Sequence, residues 1–305
     1  LASACSGSPP LRGEATDNLS TVAQTDPDQQ RSLTREMWEA AATGWGREAE
    51  AVRNWGMPVS VAMVESLDLQ PGQRVLELAA GPGDTGFMAA ELVRPGGTLI
   101  SSDGAEPMVE VARERAAQLG IDNVEFRQLE LEWIDLETAS VDAVLVRWGI
   151  MLTVDPPAAA REIRRVLRPG GHAALAVWDA RERNPWAEIP SRALVELGHT
   201  EPPDPNAPGP FSLAEDGRLA ELLEDAGFTE VEVEAVHLER RTESVQDLVA
   251  ESANCSPGFG AAYRELTEEQ RAEVAAHMAA GAAPYTAPDG SVTLPGVSLV
   301  ARATA

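Results

Sequence analysis

Lysine is absent from the 305 residues, so all 24 basic side chains are arginines. They face 49 acidic side chains, for a formal net charge of −25 and a pI near 4.5. Such a surface repels phosphate backbones, which argues against a nucleic acid as partner. Cysteine is almost missing, with only Cys5 and Cys255, and the four histidines are scattered. Neither a disulfide framework nor a Cys/His metal cluster is expected, no metal site is predicted, and a reducing cytoplasm fits this usage. Long apolar runs are missing as well. Nothing approaches the ~20 residues of a membrane helix, and no basic stretch with an apolar core opens the chain, so no membrane insertion is expected.

What is present is ample apolar material, 44% of residues, enough for one main α/β domain. Residues 1–30 are rich in Ser, Pro, Thr, Asp and Gly without apolar periodicity and read as a disordered tail. Residues 31–70 carry helical spacing. One helix is predicted over Thr34–Asn54, with Met37, Trp38, Ala41, Trp45 and Val52 on one face, and a second over Val59–Leu67. These helices either close over a ligand as a lid or pack their tryptophans on a sheet.

The rest of the chain is organised around Arg74-Val-Leu-Glu-Leu-Ala-Ala-Gly-Pro-Gly-Asp-Thr-Gly86, a short apolar strand running into a glycine-rich turn and then a helix. The spacing Gly81-x-Gly83-x-x-Gly86 also fits a dinucleotide fingerprint, so the glycines alone do not name a ligand. Glu77 discriminates. A carboxylate in that strand, facing the ligand, would repel a pyrophosphate and suit an ammonium group. Twenty residues after Gly83, Asp103 ends the strand Gly97–Asp103, where a carboxylate either accepts hydrogen bonds from both ribose hydroxyls or caps the following helix. Further strands are predicted at Asn123–Leu129, Val141–Val146, His172–Trp178, Phe228–Leu238 and Gly296–Arg302, with helices between most of them. Asp155-Pro-Pro157 reads as a helix cap followed by prolines in the first turn.

The run Glu77-Leu-Ala-Ala-Gly81-Pro-Gly83, with Asp103, Glu130, Arg147-Trp148 and Arg168-Pro-Gly-Gly171, resembles the class I S-adenosylmethionine-dependent methyltransferases, in the small-molecule branch of ubiquinone and menaquinone biosynthesis. Ala79 stands where the family pattern has its first glycine. The resemblance implies a Rossmann-like, doubly wound seven-stranded sheet with an antiparallel last strand and a helical N-terminal lid. It places the methyltransferase domain at 71–305, with substrate-pocket insertions at about 179–218 and 239–290. It implies S-adenosyl-L-methionine as cofactor, held by Glu77, Ala79, Gly81, Gly83, Asp103, Gly104, Met108, Leu129, Glu130, Leu131, Arg147 and Trp148. Glu130 would take the adenine amine. Trp38, Trp45, Met151, Trp186, His199 and Phe211 are the expected substrate-pocket residues. The implied chemistry is in-line transfer of methyl to an O, N or C atom of a small-molecule acceptor, and alignment alone can supply on the order of 7 to 11 kcal/mol. No catalytic base is assigned; His199, Glu196 and His237 lie outside the motifs. A non-catalytic S-adenosylmethionine-binding module and an NAD-dependent oxidoreductase are the competing readings.

Overall fold

Apolar strands with no polar alternation are built to be covered on both sides. In the computed structural model, which describes residues 26–204 and 207–305, such strands form the middle of one sheet. The strands are β1 Arg74–Leu78, β2 Thr98–Asp103, β3 Val124–Gln128, β4 Val141–Arg147, β5 Leu167–Trp178, β6 Thr229–Thr242 and β7 Val292–Thr304. Their order is β3-β2-β1-β4-β5-β7-β6; the first five are parallel, and β7 runs antiparallel to both β5 and β6. The expected sheet, including its antiparallel strand, is the one observed. Val75, Leu76 and Leu78 of β1 and Val144, Leu145 and Val146 of β4 are fully buried at its centre.

The helices are α1 Pro27–Arg47, α2 Ala49–Ser66, α3 Asp84–Leu92, α4 Glu106–Leu119, α5 Pro156–Val166, α6 Pro185–Glu196, α7 Arg218–Asp225, α8 Val245–Cys255, α9 Pro257–Glu265 and α10 Glu268–Ala282. Asp155 caps α5 as expected, its side chain accepting from Ala158 N at 2.9 Å. The N-terminal helices differ from the periodicity. Asp26 accepts from the Asp28 amide and Pro27 occupies the first turn, so α1 begins seven residues before Thr34 and includes part of the stretch read as tail. The remainder of that tail, residues 1–25, lies outside the described residues. The break between the helices falls at Glu48, and α2 then runs through Pro58 without interruption.

A second apolar cluster, with Ile189, Leu194, Leu248, Phe259, Val274, Met278 and Leu294, joins α6, α8, α9 and α10 to the start of β7. Helix α9 is not anticipated by the sequence, because Pro257, Gly258 and Gly260 read as breakers. Gly260 has a packing reason: a Cβ there would strike the Ala253 carbonyl, so glycine lets α9 lie against α8. Among the described residues, no helix is long and apolar enough to cross a membrane, and no group of three or more His, Cys, Asp or Glu side chains is placed to hold a metal ion.

Helix α1 is anchored on two sides along its second half. Trp38, Ala42 and Trp45 pack on Ala105 and Met108 of the α4 region. On the other side Trp45 Nε1 donates to the Cys255 carbonyl at 3.0 Å, and Asn254 Nδ2 donates to Glu48 Oε1 at 2.7 Å. The helix therefore bridges α4 and α8 across the carboxyl ends of the parallel strands, where open α/β sheets bind ligands.

Candidate active site

The turn after β1 takes positive φ at Ala79 (49°), Gly81 (54°) and Gly83 (89°). Ala79 is the one side chain among them, and its methyl sets a requirement on its neighbour: a Cβ at Gly149 would come within 2.5 Å of the Ala79 Cβ. Trp148, just before that glycine, also has positive φ (59°). Two L residues in the left-handed region thus meet where β1 and β4 end, a location at which such strain is commonly kept for function.

Above this floor lies a cavity of about 440 Å³, roofed by α1. Asp103 stands at its centre. Oδ2 accepts from the Gly81 amide and Oδ1 from the Ala105 amide, each at 3.0 Å. A carboxylate offers about four acceptor positions, so those not used by the backbone are available to the cavity. Burial pushes Asp103 up to about 6, against the lowering effect of its backbone donors. Beside it, a Cβ at Gly104 would sit 3.0 Å from Glu130 Oε2, which keeps this wall thin. Walls of indole and aliphatic groups, a half-buried acid and glycine where the backbone closes in are the features of a pocket for a small organic ligand.

Glu77 is placed otherwise than expected. Successive side chains of β1 alternate between faces, and Glu77 shares its face with α3, whose first turn covers it. Its Oε1 accepts from the Gly86 amide at 2.7 Å and its Oε2 from Ser101 Oγ at 3.4 Å; the side chain is 2% exposed and does not line the cavity. Its work is to tie the glycine turn to the strand. Burial pushes its carboxyl up to about 8, partly opposed by the Gly86 donor and the Arg147 charge. An unfolded glutamate titrates near 4.5. Between the two values the folded chain holds a proton that the unfolded chain has released, so stability falls as pH rises across that window. Glu77→Gln keeps the shape and the acceptor without the titration. Its melting temperature should match the parent's near pH 5 and exceed it increasingly toward pH 8.5; parallel pH profiles for the two proteins would contradict the placement.

At the mouth, α1 is clasped to the loop after β3. Arg31 Nε donates to Glu132 Oε2 at 2.6 Å, and Arg35 pairs with Glu130 Oε1 at 2.7 Å. Glu132 also receives the Val154 and Asp155 amides at 2.7 and 3.0 Å, so three chain segments meet on one carboxylate. At the deep end Arg147 lies 4.7 Å over the Trp148 ring, and its buried Nη1 has no hydrogen-bond partner. Trp148 continues into a stack with Trp55 and Trp178, at centroid distances of 5.2 and 4.3 Å.

Of the residues singled out in the sequence, Trp38, Trp45, Ala79, Gly81, Asp103, Gly104, Met108, Glu130, Leu131, Arg147 and Trp148 line this cavity. The others do not. Gly83 caps α3; Leu129 packs in the core, its amide on the Asp103 carbonyl. Met151 is buried in the core, and its carbonyl binds Ser212 Oγ. Trp186 packs on Trp178 and donates to Asn184, Phe211 lies under the Arg181 guanidinium, and His199 follows α6 with its amide on the Leu194 carbonyl. These four expected pocket residues therefore lie outside the lining of this cavity. Arg31, Arg35, Glu132, Gly149 and Val154 line the cavity and escaped the sequence reading.

Comparison with known proteins decides the family. The sequence model described as a methyltransferase domain matches residues 69–204. Nocamycin O-methyltransferase of Saccharothrix syringae is 30% identical over 230 residues, 72% of this chain and 81% of that protein. The chain belongs to the class I S-adenosylmethionine-dependent methyltransferases. Demethylmenaquinone methyltransferase of Clavibacter sepedonicus is a further relative, 36% identical over 38% of this chain and 45% of its own length. The crystal structure of YcgJ from Bacillus subtilis shares the fold, with a TM-score of 0.52 at 17% identity over 80% of this chain and 97% of that one. As a methyltransferase, the protein takes S-adenosylmethionine as cofactor and transfers its methyl group.

Proposed function

We propose that the cavity under α1 is the methyl-transfer site and that its acceptor is a small molecule. The observation that carries this reading is Asp103, a half-buried carboxylate with acceptor positions turned to the cavity beside the glycine turn. When bound, S-adenosylmethionine supplies an electrophilic methyl group on a sulfonium. Asp103 accepts from the ribose hydroxyls, Glu130 and Leu131 flank the adenine, and the backbone from Ala79 to Gly81 follows the amino-acid tail. Trp38 and Trp45 on α1 close the roof and exclude water. Acceptance of small molecules is supported by the cavity's size and by the relatives, whose names specify nocamycin and demethylmenaquinone. Incubating the protein with isotope-labelled S-adenosylmethionine and a metabolite extract should yield labelled products below ~1 kDa by mass spectrometry. Label appearing only in macromolecules would contradict the small-molecule acceptor.

Helix α1 acts as the lid in this reading, and the Arg31–Glu132 contact is its latch. The pair is 37% and 14% exposed, so its direct contribution to stability is modest, at most about 1 kcal/mol. Its contribution to closure is larger, because the same carboxylate fixes the amides of Val154 and Asp155. Arg31→Gln should leave the melting temperature nearly unchanged while raising the dissociation rate of S-adenosylhomocysteine several-fold in stopped-flow displacement. Unchanged dissociation would remove α1 from the gate.

A further inference from the structure

Arg147 ends β4 at the deep end of the cavity, with Nη1 buried and unpartnered. The other charges that the cavity wall uses are already matched. Arg31 and Arg35 hold Glu132 and Glu130, and Asp103 holds two backbone amides. The acids whose charge reaches Arg147 are Asp84 and Glu77. Asp84 is gripped by Arg115 at 2.8 and 3.2 Å, and Glu77 is bound to Gly86 and, pushed up to about 8 by burial, is mostly neutral at pH 7. A guanidinium does not shed its proton, and a buried donor without an acceptor is costly to leave unmade. The helix above makes room for it: a side chain at Gly56 of α2 would strike Nη1.

Its place in the sheet says what should meet it. Strand β1 lies between β2 and β4. Asp103 ends β2 and Arg147 ends β4, so the two strand ends flank the glycine turn roughly 10 Å apart, two strand spacings. With the ribose on Asp103, the β4 side is where a second reactant comes in beyond the methyl group. Resting on that cofactor placement, we infer that Arg147 receives the oxyanion of the methyl acceptor, and that the acceptor class is an acid used as its anion, a carboxylate or an ionised enol or phenol. The Trp148 ring is already engaged by Trp178, Trp55 and the guanidinium itself, so the acceptor meets Arg147 through charge and hydrogen bonding. In the transfer, a lone pair on the anionic oxygen forms the new C–O bond while the C–S bonding pair returns to sulfur. The negative charge of the acceptor and the positive charge of the sulfonium cancel, and no proton is released. Such an acceptor needs no general base.

The test uses the full chain saturated with S-adenosylhomocysteine and titrated calorimetrically with 2-naphthoate or its neutral isostere 2-naphthamide. The parent should prefer the naphthoate by at least ~10-fold, a margin ordinary for a charge-assisted pair. Arg147→Met should abolish the preference, and Arg147→Lys should keep part of it, each variant being checked as folded by circular dichroism. Equal binding of the two probes by the parent, binding of neither, or a preference that survives in Arg147→Met overturns the inference. A second arm compares S-adenosylhomocysteine with 5′-methylthioadenosine, which lacks the amino-acid tail. The ratio of their affinities should be the same in parent and Arg147→Met. A ratio that collapses in the variant assigns the guanidinium to the cofactor's own carboxylate and overturns the acceptor assignment. Failure of the parent to bind S-adenosylhomocysteine at all would instead defeat the cofactor placement, and this inference with it.

Discussion

Asp103→Ala is expected to weaken S-adenosylhomocysteine binding by at least ~10-fold, measured by calorimetry at pH 7.5. Each hydrogen bond to a charged acceptor is worth roughly 1.5 to 3 kcal/mol, and two ribose hydroxyls are at stake. The loss goes further than the ligand, because the same carboxylate receives the amides of Gly81 and Ala105 and so shapes the glycine turn that lines the cavity. The pH profile adds a signature. Burial holds Asp103 at about 6, and ribose donors favour its ionised form. Parent affinity should therefore be full above about pH 6 and fall as pH drops through it, while the Asp103→Ala profile stays flat there. Glu130→Ala should cost less, since Glu130 is already engaged by Arg35 in a half-exposed pair. Indistinguishable binding by parent and Asp103→Ala would reduce Asp103 to a turn-forming acid.

The second large effect concerns folding. Gly86→Ala should destabilise the protein by about 2 to 3 kcal/mol, as overpacking in a closed interior does. The new methyl would overlap the Glu77 carboxylate and come within 3.0 Å of Leu99 Cδ2, and neither neighbour has room to retreat. Relief by a second substitution identifies the cause. In a Glu77→Ala background the obstructing group is gone, and the penalty of Gly86→Ala should shrink by about 1 kcal/mol or more, a coupling typical of residues in contact. Additive penalties in urea unfolding would show that the two positions do not meet.

Gly86 and Glu77 also mark where the sequence stops being informative. The strand, the glycine turn and the helix after them were legible, because apolar continuity and glycine spacing are local signals. The parity of Glu77 within its strand was legible too, but not which face α3 would cover, and that choice turned an expected ligand contact into a tether for the turn. Asp103 could be located by its strand end and its distance from Gly83. Arg31 and Arg35 could not, since their partners Glu132 and Glu130 lie about a hundred residues away and an ion pair leaves no periodic trace. A closer reading of Asp26-Pro27 as a helix start would have drawn Arg31 into α1. For Trp186 and Phe211 composition was no help: an indole or phenyl ring in a loop-rich stretch looks the same whether it meets a ligand or another ring. The antiparallel last strand came from the family resemblance and not from a local signal, since α8, α9 and α10 all stand between β6 and β7.

We propose that a half-buried acid beside a glycine turn, under a latched helix, makes this cavity a site for S-adenosylmethionine and not for a dinucleotide. Calorimetric titration of the full chain at pH 7.5 with S-adenosylhomocysteine and, separately, with NAD tests it most directly. S-adenosylhomocysteine should bind saturably at one site per chain, with NAD giving no comparable heat. NAD binding more tightly than S-adenosylhomocysteine would contradict the account.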